Sequence, residues 1–140
     1  MGGYATHWLP ARSLVDQALR ARHSVHASGE IMRLEHFCPW QEHLFDLEEE
    51  AECSLDGQQL VKYVIFQDSR QGWRLQAAPK QRGSFELRRR LPSAWCGLRD
   101  EELSRVTGIE NCVFVHANGF IGGHRSLEGA MAMARRALEL

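Results

Sequence analysis

The sequence predicts one α+β domain over residues 1–140, with a mixed sheet that has a central antiparallel hairpin and is covered by helices. Three observations predict this class. The 140 residues, of which 44% are hydrophobic and 25% charged, suffice for one ordinary core but hardly for two. Apolar residues recur in some segments at helical spacing and in others with the alternation of a strand. Two central strand-like segments flank a short polar turn, which is typical of an antiparallel hairpin.

The first part of the chain predicts two helices separated by a short strand. Apolar residues recur at helical spacing over residues 11–22, and Pro10 suits the first turn of that helix because its missing N–H is not needed there. Residues 29–34 predict a short strand with core contacts. After the break at residues 37–40, apolar spacing predicts a helix over residues 41–50.

The centre of the chain predicts the hairpin. Residues 60–67 are rich in β-branched and aromatic side chains, which favour a strand. Residues 68–72 predict a turn, and residues 73–78 predict the returning strand. Residues 83–91 predict an additional edge strand, which Pro92 ends because proline has no N–H to donate to a neighbouring strand.

The last part of the chain predicts a helix, a strand and a second helix. Residues 100–106 predict a short helix that Gly108 can close, and residues 111–117 predict the best-buried strand of the sheet. The final helix is predicted from Ser126, a candidate N-cap, to about Leu138. Its apolar stripe is expected to face the core and comprises Leu127, Ala130, Met131, Ala134 and Leu138.

Composition excludes several classes of protein. With 17 basic and 18 acidic side chains the formal net charge is −1, which excludes a uniformly basic nucleic-acid coat but not a local basic patch. No apolar stretch approaches the roughly 20 residues needed to span a bilayer, so no membrane partner is expected. The cysteines form no Cys-x-x-Cys pair, which predicts reduced thiols and an intracellular location. They are Cys38, Cys53, Cys96 and Cys112.

The glycine-rich segment 116–125 holds the main candidate site. A buried strand is predicted to end there, and a capped helix to begin directly after it. Glycines let backbone amides approach a ligand, and a helix N-terminus offers unpaired N–H groups to an anion. His124 adds a titratable donor and Arg125 a permanent cation, a combination that suits a phosphate or a nucleotide backbone. The alternative is a tight strand-to-helix connection in which Gly122 and Gly123 only satisfy backbone angles.

Residues 36–43 gather possible metal ligands, among them His36, Cys38 and His43. A zinc site needs a fourth donor, and none stands at standard spacing nearby, so no metal site is predicted in this chain. Trp40 in the same segment can pack into the core or offer a stacking surface to RNA. The sequence also lacks a nucleophile elbow, a Walker loop and a His-Glu-x-x-His helix, so no catalytic residue is predicted.

One stretch of the chain concentrates positive charge, and it comprises Lys80, Arg82, Arg88, Arg89 and Arg90. On a strand, Arg88 and Arg90 would face one side and Arg89 the other. Such a charged edge either discourages sheet-to-sheet aggregation or contacts RNA. The sequence leaves both interpretations open.

Several motifs follow one another in an order found in a known family. They are Gly72-Trp73-Arg74-Leu75-Gln76-Ala77-Ala78-Pro79, Ser84-Phe85-Glu86, Trp95-Cys96-Gly97-Leu98-Arg99-Asp100-Glu101, Gly108-Ile109, Cys112-Val113-Phe114-Val115-His116-Ala117 and Gly119-Phe120-Ile121-Gly122-Gly123-His124-Arg125. From about Trp8 to its end, the chain resembles the C-terminal part of the melanocyte-proliferating-gene family. Members of that family are metal-dependent 3′-to-5′ exoribonucleases related to the DHH phosphoesterases.

The resemblance implies a fold like the second, substrate-binding domain of DHH phosphoesterases. It also implies RNA as the substrate and a location in the nucleus, nucleolus and mitochondrion. In that second domain a glycine-glycine-histidine element points at the substrate. This makes Gly122, Gly123, His124 and Arg125 the substrate-contact candidates that the resemblance implies. From the same glycine-rich segment, His116 and Asn118 are added to them as substrate-binding candidates.

The resemblance places the catalytic half of the family N-terminal to this segment, where aspartates and histidines hold a divalent metal, Mn²⁺ or Mg²⁺. Nothing in these residues resembles that half. We therefore expect a fragment, a short isoform or a truncated paralogue that holds no metal itself and needs the N-terminal half as its partner. The expected function is the substrate-binding half of a 3′-to-5′ RNA exonuclease. The alternatives are a non-catalytic RNA- or nucleotide-binding module, and a structural or protein-interaction domain.

Overall fold

The computed structural model describes residues 10–34, 37–51, 60–68, 72–81, 84 and 86–140. Its helices are α1 (Ala11–Arg20), α2 (Arg22–Val25), α3 (Gln41–Ala51), α4 (Asp100–Thr107) and α5 (Leu127–Glu139), with a 3₁₀ helix at Ser93–Trp95. Its strands are β1 (Ile31–Arg33), β2 (Tyr63–Gln67), β3 (Trp73–Ala77), β4 (Cys112–Val115) and β5 (Ile121–His124).

The strands form one mixed sheet in the order β1-β2-β3-β5-β4. β1 runs parallel to β2, whereas the other neighbouring pairs are antiparallel. β2 and β3 form the central hairpin, in which Tyr63 lies opposite Ala77 and Gln67 lies opposite Trp73. The predicted α+β fold, with an antiparallel hairpin inside a mixed sheet, is confirmed.

The alternation of side chains along β2 divides the core between the two faces of the sheet. Val64 and Phe66 pack with α1 and α3 on one face. Tyr63 and Ile65 pack with α4, α5 and the 3₁₀ helix on the other face. Because successive strand residues point to opposite faces, β2 is buried on both sides and its apolar run is continuous.

Part of the sheet remains partly exposed on the face that α1 and α3 cover elsewhere. Arg74 lies opposite Phe66 and Gln76 lies opposite Val64, so both β3 side chains are on that face. Gln76 and Ile121, its partner on β5, are only half-buried. We call this surface of β3, β5 and β4 the open half-sheet.

β5 is the main departure from the sequence prediction. Residues 121–124 are predicted to form a glycine-rich turn, but they form a strand between β3 and β4. Glycine has a low strand propensity, so the pattern that marks a strand is missing here. Because β5 takes the place beside β3, β4 becomes the outermost strand. Val113 and Phe114 are therefore only half-buried, and the prediction that residues 111–117 form the best-buried strand is wrong.

The predicted edge strand over residues 83–91 is also wrong. In the described part of that segment, an isolated bridge joins Leu87 to Pro79, and no strand follows it. Pro79 has no N–H, so it cannot extend a ladder of hydrogen bonds. Residues 82, 83 and 85 lie outside the described residues.

Both predicted signals at helix ends are confirmed. The Ser126 hydroxyl accepts a hydrogen bond from the Gly129 N–H at 3.0 Å, as an N-cap does. Gly108 follows α4 with φ +75°, the left-handed conformation that closes many helices. The first turn and the last turn of these helices are thus encoded locally.

The apolar stripe of α5 is predicted correctly at Ala130 and Ala134, which are fully buried. Met133 and Ala137 are buried beside them. The predicted positions that only pack against the margin of the core are Leu127, Met131 and Leu138. The buried alanines are small, so this helix lies close to the sheet. Its buried face includes Met133 and Ala137 and is therefore rotated from the predicted one. None of the described helices is long and apolar enough to cross a membrane.

The cysteines within the described residues are free thiols. They are Cys38 and Cys112, which are buried, and Cys96, which is half-buried. Burial raises the pKa of the Cys38 thiol, because desolvation disfavours the thiolate. Cys53 lies outside the described residues.

Candidate functional site

An open cavity of about 780 Å³ lies at the edge of the open half-sheet. Gln76 of β3 and Gln41 at the start of α3 form part of its wall. The turn between β4 and β5 contributes Asn118 and Phe120, and Arg90 approaches from the segment before the 3₁₀ helix. Cavities of this size commonly bind small ligands. We call it the site cavity.

The turn between β4 and β5 is held by contacts within itself. The Asn118 N–H donates to His116 Nδ1 at 3.1 Å, and the Gly119 N–H donates to the His116 carbonyl at 2.8 Å. The His116 ring meets the Phe120 ring at an edge, with the centroids 4.9 Å apart. Gly119 has φ +72°, and an added Cβ would lie 3.2 Å from the Leu91 carbonyl oxygen, so the turn needs glycine there. These contacts fix where Asn118 and Phe120 meet the site cavity.

Arg90 is tied to two neighbouring elements. Its Nε donates to the Asn118 carbonyl at 2.9 Å, and its own carbonyl accepts from the Tyr63 hydroxyl at 3.0 Å. Tyr63 is fully buried, and this burial raises the pKa of its phenol to about 12. The hydroxyl therefore stays protonated at neutral pH and keeps donating. Arg90 itself is exposed, so a permanent cation lines the site cavity, and hydrogen bonds hold its backbone and its Nε in place.

Among the described residues that line the site cavity, formal charge is balanced. Arg90 supplies a positive charge, and the exposed residue Glu86 supplies a negative one. The Lys80 Nζ lies 4.0 Å from the Glu86 carboxylate, outside the cavity lining. The amides of Gln41 and Gln76 are polar but uncharged. The arrangement suits a ligand that combines one anionic group with a neutral polar surface, as a nucleotide does.

Gly122 and Gly123 lie inside β5, where side chains and backbone of neighbouring segments occupy the space that a Cβ would need. A Cβ added to Gly123 would lie 2.5 Å from Arg74 Nη1 and 2.8 Å from Phe114 Cε1. A Cβ added to Gly122 would lie 3.2 Å from the Phe114 carbonyl oxygen and 3.3 Å from Leu91 Cδ1. Neither glycine has a positive φ, so special backbone angles do not explain them. Close packing across the sheet does, and the prediction that these residues form a turn is wrong. Their contact with a phosphate stays a prediction.

His124 is buried, with only 3% of its surface exposed, and both of its ring nitrogens are paired. The Ser126 N–H donates to Nδ1 at 2.9 Å, so Nδ1 carries no proton. The Nε2–H therefore donates to the Glu110 carbonyl at 2.6 Å. No ring nitrogen is left for a substrate phosphate. These hydrogen bonds give the side chain a structural role, which disfavours the predicted substrate contact.

Arg125 lies away from Asn118, because it follows the opposite end of β5. Its side chain is exposed, and its backbone N–H donates to the Asn111 carbonyl at 3.4 Å. It lines a second cavity of about 690 Å³, to which Asp100 and Glu110 contribute carboxylates. The structure therefore does not bring Arg125 together with the predicted site residues of the β4–β5 turn.

Arg88 is buried in an ion pair and does not face solvent. Its guanidinium donates to both carboxylate oxygens of Glu48, at 3.0 and 2.7 Å, and to the Val61 carbonyl at 2.9 Å. The Arg88 and Glu48 side chains are 7% and 2% exposed. Such two-point pairing compensates the desolvation of both charges. The pair joins α3 to the segment before the 3₁₀ helix, so the burial of Arg88 favours a structural role over the predicted RNA contact.

Arg89 and Trp40 also have structural roles. The Arg89 guanidinium donates to the carbonyls of Ala137 and Leu138, at 3.2 to 3.4 Å, where α5 ends. Trp40 is 3% exposed and packs with the core on the α1 and α3 side. Its core interpretation is confirmed, and its RNA-stacking interpretation is wrong. Among the three consecutive arginines only Arg90 is exposed. The orientations of the Arg88 and Arg89 side chains are set by their hydrogen-bond partners and not by the alternation of a strand.

The described residues contain no group of three or more His, Cys, Asp or Glu that could hold a metal ion. Of the candidate ligands in residues 36–43, Cys38 is buried and His43 is half-buried. His36 lies outside the described residues. The donors described here therefore do not fit the divalent metal that the family resemblance implies.

Sequence reasoning does not identify Gln76 and Gln41, although both line the site cavity. The alternation in β3 contains a signal for Gln76, because Leu75 and Ala77 are buried and their neighbours must point to the other face. Polar residues at Arg74 and Gln76 indicate that this other face is not core. Gln41 lacks such a signal, since only the packing of α3 beside β3 brings it to the cavity.

Comparison with known proteins identifies the relatives of the chain. Residues 1–138 match the protein-family model MYG1_exonuc, described as Uncharacterised protein family (UPF0160). The chain is 50% identical over 136 residues to a Homo sapiens protein named MYG1 exonuclease. The aligned region covers 96% of this chain and 35% of that relative. It is 50% identical over 135 residues to the MYG1 protein of Dictyostelium discoideum, with 96% and 40% covered. It is 45% identical over 136 residues to a MYG1 protein of Saccharomyces cerevisiae, with 97% and 39% covered.

The chain thus spans between 35% and 40% of the length of these relatives. The match extends over nearly the whole of the chain, including all residues of the site cavity. No solved structure matches the chain significantly.

Proposed function

This chain belongs to the MYG1 exonuclease family (UPF0160), and from that premise we propose that it is the substrate-binding part of a nuclease. Its substrate is single-stranded RNA, and the reaction that it serves is hydrolysis of phosphodiester bonds in the 3′-to-5′ direction. The sequence resemblance to exoribonucleases supports the choice of RNA and a location in the nucleus, nucleolus or mitochondrion. The name of the human relative supports an exonuclease.

The observation that carries the proposal is the lining of the site cavity. Its described residues combine one cation, one carboxylate, several neutral amides and one aromatic side chain beside a half-buried strand surface. Single-stranded RNA is bound through its phosphates by cations, and through its unstacked bases by aromatic rings and polar groups. Arg90 meets the first requirement, and Phe120 with the amides meets the second.

Arg90 is suited to a phosphate because it is charged at every physiological pH and already oriented. Its Nε is engaged by the Asn118 carbonyl at 2.9 Å, which fixes the plane of the guanidinium. Less conformational entropy is lost when such a group binds an anion than when a free side chain does. We therefore assign substrate contact to Arg90 and Asn118, and not to His124.

In this proposal the catalytic metal is bound by residues outside this chain. The described donors do not fit a metal ion, and the chain spans at most 40% of the relatives it matches. In the family resemblance the divalent metal, Mn²⁺ or Mg²⁺, activates the attacking water. This chain binds and orients RNA, and its partner is the segment that holds the metal.

RNA binding by the purified chain tests the proposal. A fluorescent single-stranded RNA of about ten nucleotides is titrated at several salt concentrations between about 50 and 200 mM, and anisotropy is measured. Replacing Arg90→Gln should raise Kd about tenfold and lower the salt slope by about 0.7, the share of one phosphate contact. Arg135→Gln is the matched control, because Arg135 is exposed on α5 away from the cavity lining.

Two results would contradict the proposal. If the chain does not bind RNA, or if the Arg90→Gln and Arg135→Gln variants bind it equally well, the site cavity is not the RNA-binding site. Either result would favour a structural or protein-interaction domain. Rapid Mn²⁺- or Mg²⁺-dependent degradation of RNA by the chain alone would place the catalytic metal within it.

A further inference from the structure

Three side-chain amides line the site cavity, those of Gln41, Gln76 and Asn118. None of them hydrogen-bonds to another residue in the described ranges, although the Asn118 backbone is held on both sides. Each amide offers one acceptor oxygen and two donor hydrogens next to each other. Polar groups that converge on a cavity without internal partners are available to a ligand.

Gln76 and Asn118 reach the cavity from elements that are fixed. Gln76 lies within the ladder of β3, paired with Val64 on one side and Ile121 on the other. Asn118 lies in the turn that the His116 ring and the Arg90 guanidinium brace. Groups mounted on rigid elements discriminate between ligands better than groups on mobile loops, because a poor partner cannot be accommodated by movement.

A side-chain amide is complementary to a base edge that presents a donor beside an acceptor. Adenine presents two such edges that share one amino group, N6–H with N1 and N6–H with N7, and both lie away from the ribose. Cytosine presents one, and uracil has a single N–H that can serve only one amide at a time. The second edge of guanine that fits an amide, N2–H with N3, lies next to the ribose.

We propose that the site cavity selects adenine among the bases of single-stranded RNA, through the amides of Gln76 and Asn118. Phe120 provides the aromatic surface beside the base, and Arg90 binds a neighbouring phosphate. The inference rests on the proposed function, since it assumes that RNA enters this cavity. It adds to that function a preference of base.

The test compares single-stranded RNAs of equal length and charge. Oligonucleotides of about eight adenosines, cytidines or uridines are titrated against the chain at one salt concentration. We expect the adenosine oligonucleotide to bind on the order of tenfold more tightly than the uridine one, the effect of one well-placed pair of hydrogen bonds. In the double variant Gln76→Met, Asn118→Leu, which keeps side-chain size, the ratio of the two Kd values should fall to about one.

Matched variants separate base selection from general binding. Gln17→Met on the exposed side of α1 should leave the ratio unchanged. Arg90→Gln should weaken the binding of all three oligonucleotides, because the phosphate contact is common to them. Circular dichroism and melting of each variant verify that it is folded.

Each remaining outcome distinguishes this inference from the proposed function. Equal affinity of the wild-type chain for the three oligonucleotides, with normal dependence on Arg90, would overturn adenine selection and leave RNA binding in place. A preference that persists in the double variant would overturn the role of the two amides. Failure to bind any oligonucleotide would overturn both.

Discussion

The imidazole ring of His124 lies directly against the α-carbon of Gly129. A Cβ added to Gly129 would stand 1.8 Å from His124 Cε1, far inside any real contact. The hydrogen bonds from the Ser126 N–H and to the Glu110 carbonyl hold the ring in this place. The end of β5 and the first turn of α5 are therefore joined by one buried histidine and one obligatory glycine.

Gly129→Ala is expected to destabilise the protein by about 2 kcal/mol or more, although the same change in an ordinary helix interior stabilises by up to about 1 kcal/mol. The reason is the collision with His124, whose ring cannot move without breaking two hydrogen bonds. Urea unfolding measures the change. In a double-mutant cycle with His124→Ala, the two losses should fall short of additivity by about 1–3 kcal/mol. Additive losses would disprove the contact.

His124→Ala alone is expected to lower the free energy of unfolding by about 1–3 kcal/mol, because it removes a buried ring and leaves the partly buried Ser126 N–H and Glu110 carbonyl without this partner. RNA affinity should stay unchanged, since the ring has no free nitrogen for a phosphate. Thermal melting and anisotropy titration are measured on the same preparation. Lost affinity with an unchanged melting temperature would return His124 to the substrate site.

The elements that the sequence predicts correctly are those encoded by neighbouring residues. The Ser126 cap and the Gly108 stop depend on one turn of chain each, and the β2–β3 hairpin on strand residues either side of a short turn. Local signals of this kind survive in almost any tertiary context. They suffice for the α+β class and for most helix and strand positions.

β5 and the site cannot be predicted in the same way, because they depend on contacts between distant residues. Gly122 and Gly123 favour a turn by composition, yet Leu91 and Phe114 lie so close that any added Cβ would be crowded in the strand. Arg88 belongs to a basic stretch, yet its side chain is buried in an ion pair with Glu48, forty residues earlier in the chain. Of the predicted contacts, Asn118 and Arg90 lie at the site cavity, and their role there is still a prediction.

Gly123→Val is expected to destabilise the protein by about 1–3 kcal/mol through overpacking on the open half-sheet. The added side chain would meet the Phe114 ring, over which the Arg74 guanidinium is stacked at 4.9 Å from the centroid. Chemical unfolding of the variant provides the measurement. In a Phe114→Leu background the additional loss from Gly123→Val should be smaller, because the ring atoms that it meets are gone. An equal loss in both backgrounds would contradict this explanation.

Arg88→Met is expected to cost about 3–5 kcal/mol, because it removes the guanidinium that pairs at two points with the buried Glu48 carboxylate. The double variant Arg88→Met, Glu48→Met should recover a large part of that loss, since both charges of the ion pair are then removed. Arg12→Met is the control, because the Arg12–Glu50 pair at 2.6 Å is largely exposed and its removal should hardly change stability. A double variant as unstable as Arg88→Met would show that packing, and not the broken ion pair, explains the loss.

Tyr63 should make the folded state sensitive to alkaline pH. Burial raises the pKa of its phenol to about 12, above the ordinary value of about 10, so between these two values the unfolded chain releases a proton that the folded chain retains. The stabilisation is complete below about pH 10 and is lost as pH rises toward 12, at up to about 1.4 kcal/mol per pH unit. Urea unfolding at a series of pH values should show a steeper decline for the wild type than for Tyr63→Phe, in which only the other ionisable groups titrate. Absorbance titration in a Tyr4→Phe background reports Tyr63 as the one remaining phenol, and ionisation near pH 10 in the folded chain would contradict the prediction.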